Sequence, residues 1–225
     1  MLKAIKEKGF LIIPRVLNVK EVSKALSLLP KPLPKTKGPG FSFSLTHSDF
    51  AKYLRTHPKI KEKFECIWGT KELTVSLDSP IIWTSLPKHV ENMHLDQNPH
   101  HKPDFCCIQG MIHLTTTSLG GLQLIEKSNA TYQDIIEKYP EIKETTNDWL
   151  ELGKELEGTK IPTIAGTMIF WDSRTIHGAY IGRESSMPRI SFPICMLPGP
   201  PKDIELRERA IREKLTLNHW GTELH

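Results

Sequence analysis

The tripeptide His94-Leu95-Asp96 sets an imidazole and a carboxylate two positions apart. In an extended segment, residues two apart project to the same side, so both groups can reach one cation. A second imidazole has to come from elsewhere. His177, in FWDSRTIHGA, lies at the end of an apolar run and is the best placed of the other histidines. Two imidazoles and one carboxylate on one face of a metal leave the opposite positions open, the arrangement that non-haem iron oxygenases use. The chain has 10 histidines, and a single His-x-Asp often arises by chance, so the pattern needs independent support. His100 and His101 sit in a proline-flanked polar turn and read as solvated. His113 lies on an apolar strand and reads as a core residue hydrogen-bonded to a neighbour. His47, His57, His89, His219 and His225 fall in no recognisable pattern.

Arg189 supplies that support. It follows His177 by 12 residues in PRISFPICML, and Ser191 lies two positions further on, so guanidinium and hydroxyl face the same way from a strand. A planar fork with a hydroxyl beside it suits a carboxylate, here the distal one of 2-oxoglutarate. The alternative is an arginine paired with a surface acid. Against it, Ile190, Phe192 and Ile194 imply that the strand is buried on its other face.

These residues need strands to carry them. LTVSLDSPIIWTSL, DFCCIQGMIHLTT, GGLQLIEKS, GTMIFWDS and PRISFPICML are short, apolar or alternating, and separated by Gly, Pro and Asn. That pattern predicts an all-β sandwich or barrel from about 73 to 197, a jelly roll of the double-stranded β-helix type. Ahead of it, Gly9–Leu17 reads as a short strand and its exit. Asn18 with Glu21 has the form of a capping box opening a helix that runs to Pro30. Asp49–Trp68 is helical in period and interrupted at Pro58. TYQDIIEKY and a polar stretch near 145–157 read as helices interrupting the strands, and 203–217 as a final outer helix.

A chain of 225 residues suffices for one sizeable core, so 1–225 is expected to be a single domain. No apolar run approaches a membrane span. The apolar stretch near the N-terminus is short and lacks a small-residue cleavage site, so a cytoplasmic location is expected rather than secretion. A net charge of +4 is too small to argue for nucleic acid, and no groove of alternating basic and aromatic residues is present. The four cysteines, Cys66, Cys106, Cys107 and Cys195, form no Cys-x-x-Cys pair and read as small buried thiols.

Taken in order, these segments resemble the phytanoyl-CoA dioxygenase-like family. GFLIIPRVLN is similar to its opening, MHLDQ to its His-x-Asp segment, and IQGMIHLTTTSLGGLQLIEKSN to its strand, glycine turn and strand. AGTMIFWDSRTIHGA resembles the stretch bearing the distal histidine, and PRISFPICMLP the strand bearing the co-substrate arginine. Where the family often has Pro-Gly-Ser-His, this chain has Glu126-Lys127-Ser128-Asn129.

The resemblance implies a cupin-like jelly roll, mainly β with flanking helices. It also implies Fe(II), 2-oxoglutarate and O2, with ascorbate as reductant and hydroxylation of a C–H bond with release of succinate and CO2. Carried over, His94, Asp96 and His177 are the metal ligands and Arg189 anchors 2-oxoglutarate, while Ser191, Gln109 and Met111 fall where such folds line the co-substrate pocket. Packing explains those last three equally well. Trp83 reads as core. Gly120-Gly121 reads as a tight turn. Asp172 and Arg174 either orient His177 or pair on the rim.

The substrate is expected to be a small molecule or an acyl compound, though nothing resembles a dedicated CoA pocket. Loops 31–40 and 98–104 are expected to border the entrance. Asp96 fills the position that a halogenase leaves for halide, which favours hydroxylation. Two other readings use the same ligands: a zinc-dependent hydrolase, and a metal-binding protein without turnover.

Overall fold

The computed structural model describes the chain except Lys37, Leu119, Gly120, Lys154, residues 183–186, Asn218, Gly221, Thr222 and His225, together with the side chains of 132, 133, 219, 220, 223 and 224. In chain order the elements are α1 (Leu2–Lys8), β1 (Phe10–Ile13), α2 (Val19–Ser27), α3 (Asp49–Arg55), α4 (Pro58–Trp68), β2 (Leu73–Val75), β3 (Ile81–Trp83), β4 (Met93–Leu95) and β5 (Ile108–His113). They continue with β6 (Gly121–Leu124), α5 (Tyr132–Lys138), β7 (Leu150–Gly153), β8 (Thr159–Lys160), β9 (Met168–Asp172), β10 (His177–Tyr180), β11 (Arg189–Pro198) and α6 (Ile204–Glu213), and end in the small hairpin of β12 (His219–Trp220) and β13 (Glu223–Leu224).

Two antiparallel sheets form a jelly roll. The larger runs β1-β9-β5-β11-β2, with β3 also on β11; the smaller runs β7-β4-β10-β6-β8. Alternation along β5 and β11 divides two cores. Ile108, Ile112, Ile190, Phe192 and Ile194 face outward onto Val22, Phe50, Leu54, Ile60 and Phe64 of the helices. Met111 and its neighbours face inward onto Leu122, Leu124, Ile169 and Trp171 between the sheets. The period of two therefore sends Gln109, Met111 and His113 of β5, and Arg189 and Ser191 of β11, to the inner side.

Several expectations need correction. The stretch read as helical near 145–157 contains strand β7, which pairs with β4. Leu150 and Leu152 are buried while Glu151 is exposed, the alternation of an edge strand, and pairing with the sheet overrides the helix propensity of Leu, Glu and Lys. Helix α1 precedes the first strand and ends on Gly9 at φ 89°. The helix from Asn18 opens with both halves of the capping box but stops at Ser27. Cys66 is exposed, whereas Cys107 and Cys195 are buried with their sulfurs 3.6 Å apart. Gly120 lies outside the described residues. Among those described, no helix is long and apolar enough to cross a membrane.

Candidate active site

Strand β4 carries His94, with Asp96 one residue past its end, and β10 begins at His177. The two strands are neighbours, and His177 sits opposite His94. Gly178 permits this approach: a Cβ there would lie 2.7 Å from the Asn92 carbonyl oxygen, part of the backbone leading into β4. The imidazole centroids lie 4.3 Å apart. Nε2 of His177 is 3.2 Å from Asp96 Oδ2, and Nε2 of His94 is 3.8 Å from Oδ1. Ligand atoms of the three buried residues fall within 4.8 Å of one another, the one cluster among the described residues able to hold a metal.

Backbone carbonyls fix which nitrogens face this cluster. Nδ1 of His94 donates to the Asn92 carbonyl at 2.6 Å, and Nδ1 of His177 to that of Thr175 at 2.9 Å. A carbonyl can only accept, so each Nδ1 carries a proton, which leaves Nε2 of each ring as the nitrogen that can ligate. Burial pushes the His94 imidazole below its ordinary value, and His177 adds to this, while Asp96 and Glu91 oppose it. A neutral imidazole is the form that ligates.

Gln109, expected to line the co-substrate pocket, stands on the wall of the cavity beside the triad and donates from Nε2 to Asp96 Oδ2 at 2.7 Å. It therefore orients the carboxylate. Asp172 and Arg174 pair with each other through Nε–Oδ1 at 3.0 Å and Nη2–Oδ2 at 2.7 Å, and it is the Thr175 carbonyl that holds the His177 ring. Ser128 also positions the strand: its hydroxyl accepts from the Ile176 amide at 2.8 Å and donates to the Ile125 carbonyl. It stands in the segment where this chain departs from Pro-Gly-Ser-His.

A cavity of about 100 Å³ joins the triad to Arg189, with Met111 on its wall. Arg189 is 2% exposed, and neither Nε nor Nη1 has a hydrogen-bond partner among the described residues. Burial pushes its guanidinium down to about 10. Trp83, read as core, forms part of the site: its ring lies 4.3 Å from the guanidinium, and its Nε1 donates to the Pro39 carbonyl at 2.7 Å. The face towards Gly121 is equally close, since a Cβ there would meet Nε at 2.8 Å. The guanidinium thus lies close to both the Trp83 ring and Gly121, with two donors unused among the described residues. Ser191 and His113 are register partners just behind it. The Ser191 hydroxyl and both His113 nitrogens are buried without partners among the described residues. Burial, with Arg189 adding to it, pushes His113 down to about 3. Among the described residues, no neighbour makes the hydrogen bond to His113 that the sequence leads one to expect. An apolar stretch such as IQGMIHL gives no sign that this imidazole lies beside a cation.

Of the expected entrance loops, 31–40 contributes Pro39 to the cavity, but no residue of 98–104 lines it. That segment is closed against 142–148: the Asn98 amide donates to the carbonyls of Ile142, Thr145 and Asn147, and Lys102 pairs with Asp148.

The sequence pattern of the family described as Phytanoyl-CoA dioxygenase (PhyH) matches residues 5–189, a span that holds His94, Asp96, Gln109, His177 and, at its last position, Arg189. Ava biosynthesis cluster protein O of Aspergillus versicolor is 22% identical over 222 residues, covering 84% of this chain and 69% of that protein. Among solved structures, the epimerase SnoN in complex with Fe3+, alpha ketoglutarate and nogalamycin RO superposes with a TM-score of 0.63 at 18% identity, over 100% of this chain and 94% of that one. HygX from Streptomyces hygroscopicus, with nickel and 2-oxoglutarate bound, gives 0.62 at 14% identity, over 88% and 85%. At such identities the likeness establishes the jelly-roll fold.

Proposed function

Because the chain belongs to the phytanoyl-CoA dioxygenase family, we propose that it is an Fe(II)- and 2-oxoglutarate-dependent oxygenase acting on a small molecule, its residues 1–225 working as one catalytic domain. The observation that carries this reading is Arg189: a buried cation beside Trp83, with two donors unused among the described residues and a cavity leading from it to the triad. A buried unpaired charge is costly, and a ligand carboxylate would relieve the cost. A five-carbon diacid chelating a metal at one end has its second carboxylate in need of such a partner. A zinc hydrolase has no use for it.

The residues present fit the metal as well. Two imidazole Nε2 atoms and one carboxylate form the donor set, and we assign His94, Asp96 and His177 to it. When bound, Fe(II) with 2-oxoglutarate and O2 supplies the oxidising power for attack on a C–H bond, giving a hydroxylated product, succinate and CO2, with ascorbate as the external reductant. The chain supplies binding and orientation. Arg189 would hold the distal carboxylate through charge-assisted hydrogen bonds, and Trp83 packs against the guanidinium at 4.3 Å. Gln109 holds Asp96 in its ligating rotamer, and the Asn92 and Thr175 carbonyls hold both imidazole tautomers. Met111, Leu122 and Trp171 exclude water between the two ends.

Calorimetric titration of 2-oxoglutarate into anaerobic, Mn(II)-loaded protein tests this. Wild type is expected to bind, Arg189→Ala to lose binding while keeping Mn(II), Arg189→Lys to recover part, and Asp96→Ala to lose the metal. Equal 2-oxoglutarate affinity in wild type and both Arg189 variants overturns the proposal.

A further inference from the structure

Glu91 lies on the cavity wall on the triad side. Its carboxylate is close enough to His94 and Asp96 to feel both charges, and burial, the largest influence on it, raises its pKa. No hydrogen bond or ion pair engages this carboxylate among the described residues. Its neighbour provides a contrast: Glu151 accepts a hydrogen bond from Asn92 at 2.5 Å. The Glu91 backbone is fixed, since its carbonyl accepts from the Ala179 amide at 3.0 Å, which ties the residue to β10 just beyond His177. Trp149 lines the same cavity, its ring 5.8 Å from that of His94 and 38% exposed. Phe41 lines the same cavity and stacks at 6.0 Å on Phe43, which is 61% exposed. A solvent-facing aromatic edge thus leads into an apolar cavity whose one unanswered anion sits beside the triad.

We propose that Glu91 and Trp149 select a substrate with a basic nitrogen on an apolar frame, the ammonium seated between carboxylate and indole and the frame against Phe41. This rests on the oxygenase reading, because it places the substrate beside the metal ligands. The physical ground is complementarity. A carboxylate in apolar surroundings gains most from a cation brought in with the ligand, and an indole face adds cation–π attraction. The same carboxylate repels acids, so an acyl chain ending in a free carboxylate is disfavoured. His94 and Asp96 are the titratable groups facing Glu91. Both would be engaged by the metal, which leaves Glu91 to the substrate.

Three probes of one shape separate the possibilities: phenethylamine, phenethyl alcohol and hydrocinnamate. Their affinities are measured by ligand-observed NMR on the protein loaded with Zn(II) and 2-oxoglutarate, and again on the protein alone. Replacing Zn(II) with Mn(II) should broaden the probe resonances selectively and place the probe near the metal. Phenethylamine is expected to bind at least roughly tenfold tighter than the alcohol, a factor within reach of one partly desolvated ion pair, with hydrocinnamate weakest. Glu91→Gln is expected to bring amine and alcohol within about twofold of each other. Its 2-oxoglutarate affinity serves as the control for folding, and Glu91→Asp should restore part of the preference. The proposal is overturned by equal amine and alcohol affinities in wild type, by no amine binding at millimolar concentration, or by a preference that survives Glu91→Gln. An amine preference in a protein that fails to bind 2-oxoglutarate would sink the oxygenase reading alone. Binding of 2-oxoglutarate without amine preference would sink this inference alone.

Discussion

Replacing Arg189 with methionine should push stability and ligand binding in opposite directions. The side chain is 2% exposed, and two of its donors have no partner among the described residues. Burial lowers its pKa from 12.5 to about 10, which at about 1.4 kcal/mol per unit corresponds to roughly 3 kcal/mol of unfavourable charge burial. Because the folded-state pKa is depressed, this cost is fully present at neutral pH, where the guanidinium is charged in both folded and unfolded chains. Arg189→Met removes the charge and keeps an unbranched apolar side chain. It also removes the contact with Trp83 at 4.3 Å, worth about 1–2 kcal/mol when desolvated. The net expectation for the ligand-free protein is a gain of roughly 1–2 kcal/mol, or about 2–8 °C in melting temperature for a chain of this length. With metal and saturating 2-oxoglutarate, wild type should gain stability by mass action and the variant should not. Loss of the buried pairing, roughly 3–5 kcal/mol, weakens 2-oxoglutarate by about two to four orders of magnitude. Differential scanning fluorimetry with and without metal and 2-oxoglutarate reads both effects. A variant that melts lower than wild type without ligand, and rises as much as wild type with it, would refute the reasoning.

Three further substitutions probe the rest of the site. Gln109→Leu takes the donor from Asp96 Oδ2 and should weaken Mn(II) about 10–100-fold in an anaerobic competition titration; an unchanged affinity would mean that the carboxylate needs no such support. Gly178→Ala drives a Cβ to within 2.7 Å of the Asn92 carbonyl oxygen. It should cost roughly 1–3 kcal/mol in urea unfolding and separate the two imidazoles, whereas wild-type stability and metal affinity together would contradict the close approach. His113, pushed from 6.5 down to about 3, stays neutral in the fold while the unfolded chain takes up a proton. Its contribution to stability is thus complete above pH 6.5 and is lost as pH falls towards 3. His113→Phe should flatten urea-denaturation stability across that window, and a slope identical to wild type would exclude His113 as a source of acid sensitivity.

The legible part of the site was local. His94 and Asp96 are two apart in a strand, Arg189 and Ser191 likewise, and a period of two fixes a common face without knowledge of the partner strand. Which strands meet was not legible. That His177 pairs with His94 depends on a backbone approach that Gly178 tolerates, and a glycine after a histidine carries no such message by itself. The strand that carries Gln109 can be read from IQGMIH, but its partner is an acid 13 positions earlier, reached only because β4 and β5 lie in facing sheets. Trp83 looked like core because an indole in an apolar run usually is; only the β3–β11 register, with Arg189 opposite Trp83, turns it into a plate for the guanidinium. Strand β7 shows the opposite failure. LELGKELEG has the composition of a helix, and the buried edge of the sheet decided otherwise.

The bond from the Thr175 hydroxyl to the Gly9 carbonyl spans 166 positions of sequence. The Asp172 amide donates to the same carbonyl, and β1 pairs along its length with β9. Strand β1 thus waits for a strand more than 150 positions downstream before its backbone is satisfied, and the turn that holds His177 is completed only then. During synthesis FLII is an unpaired apolar edge that invites association with other chains, and a topology so dominated by distant pairings folds slowly. Production of this protein should therefore favour slow translation at low temperature, which gives β1 time to meet β9 before it meets another chain.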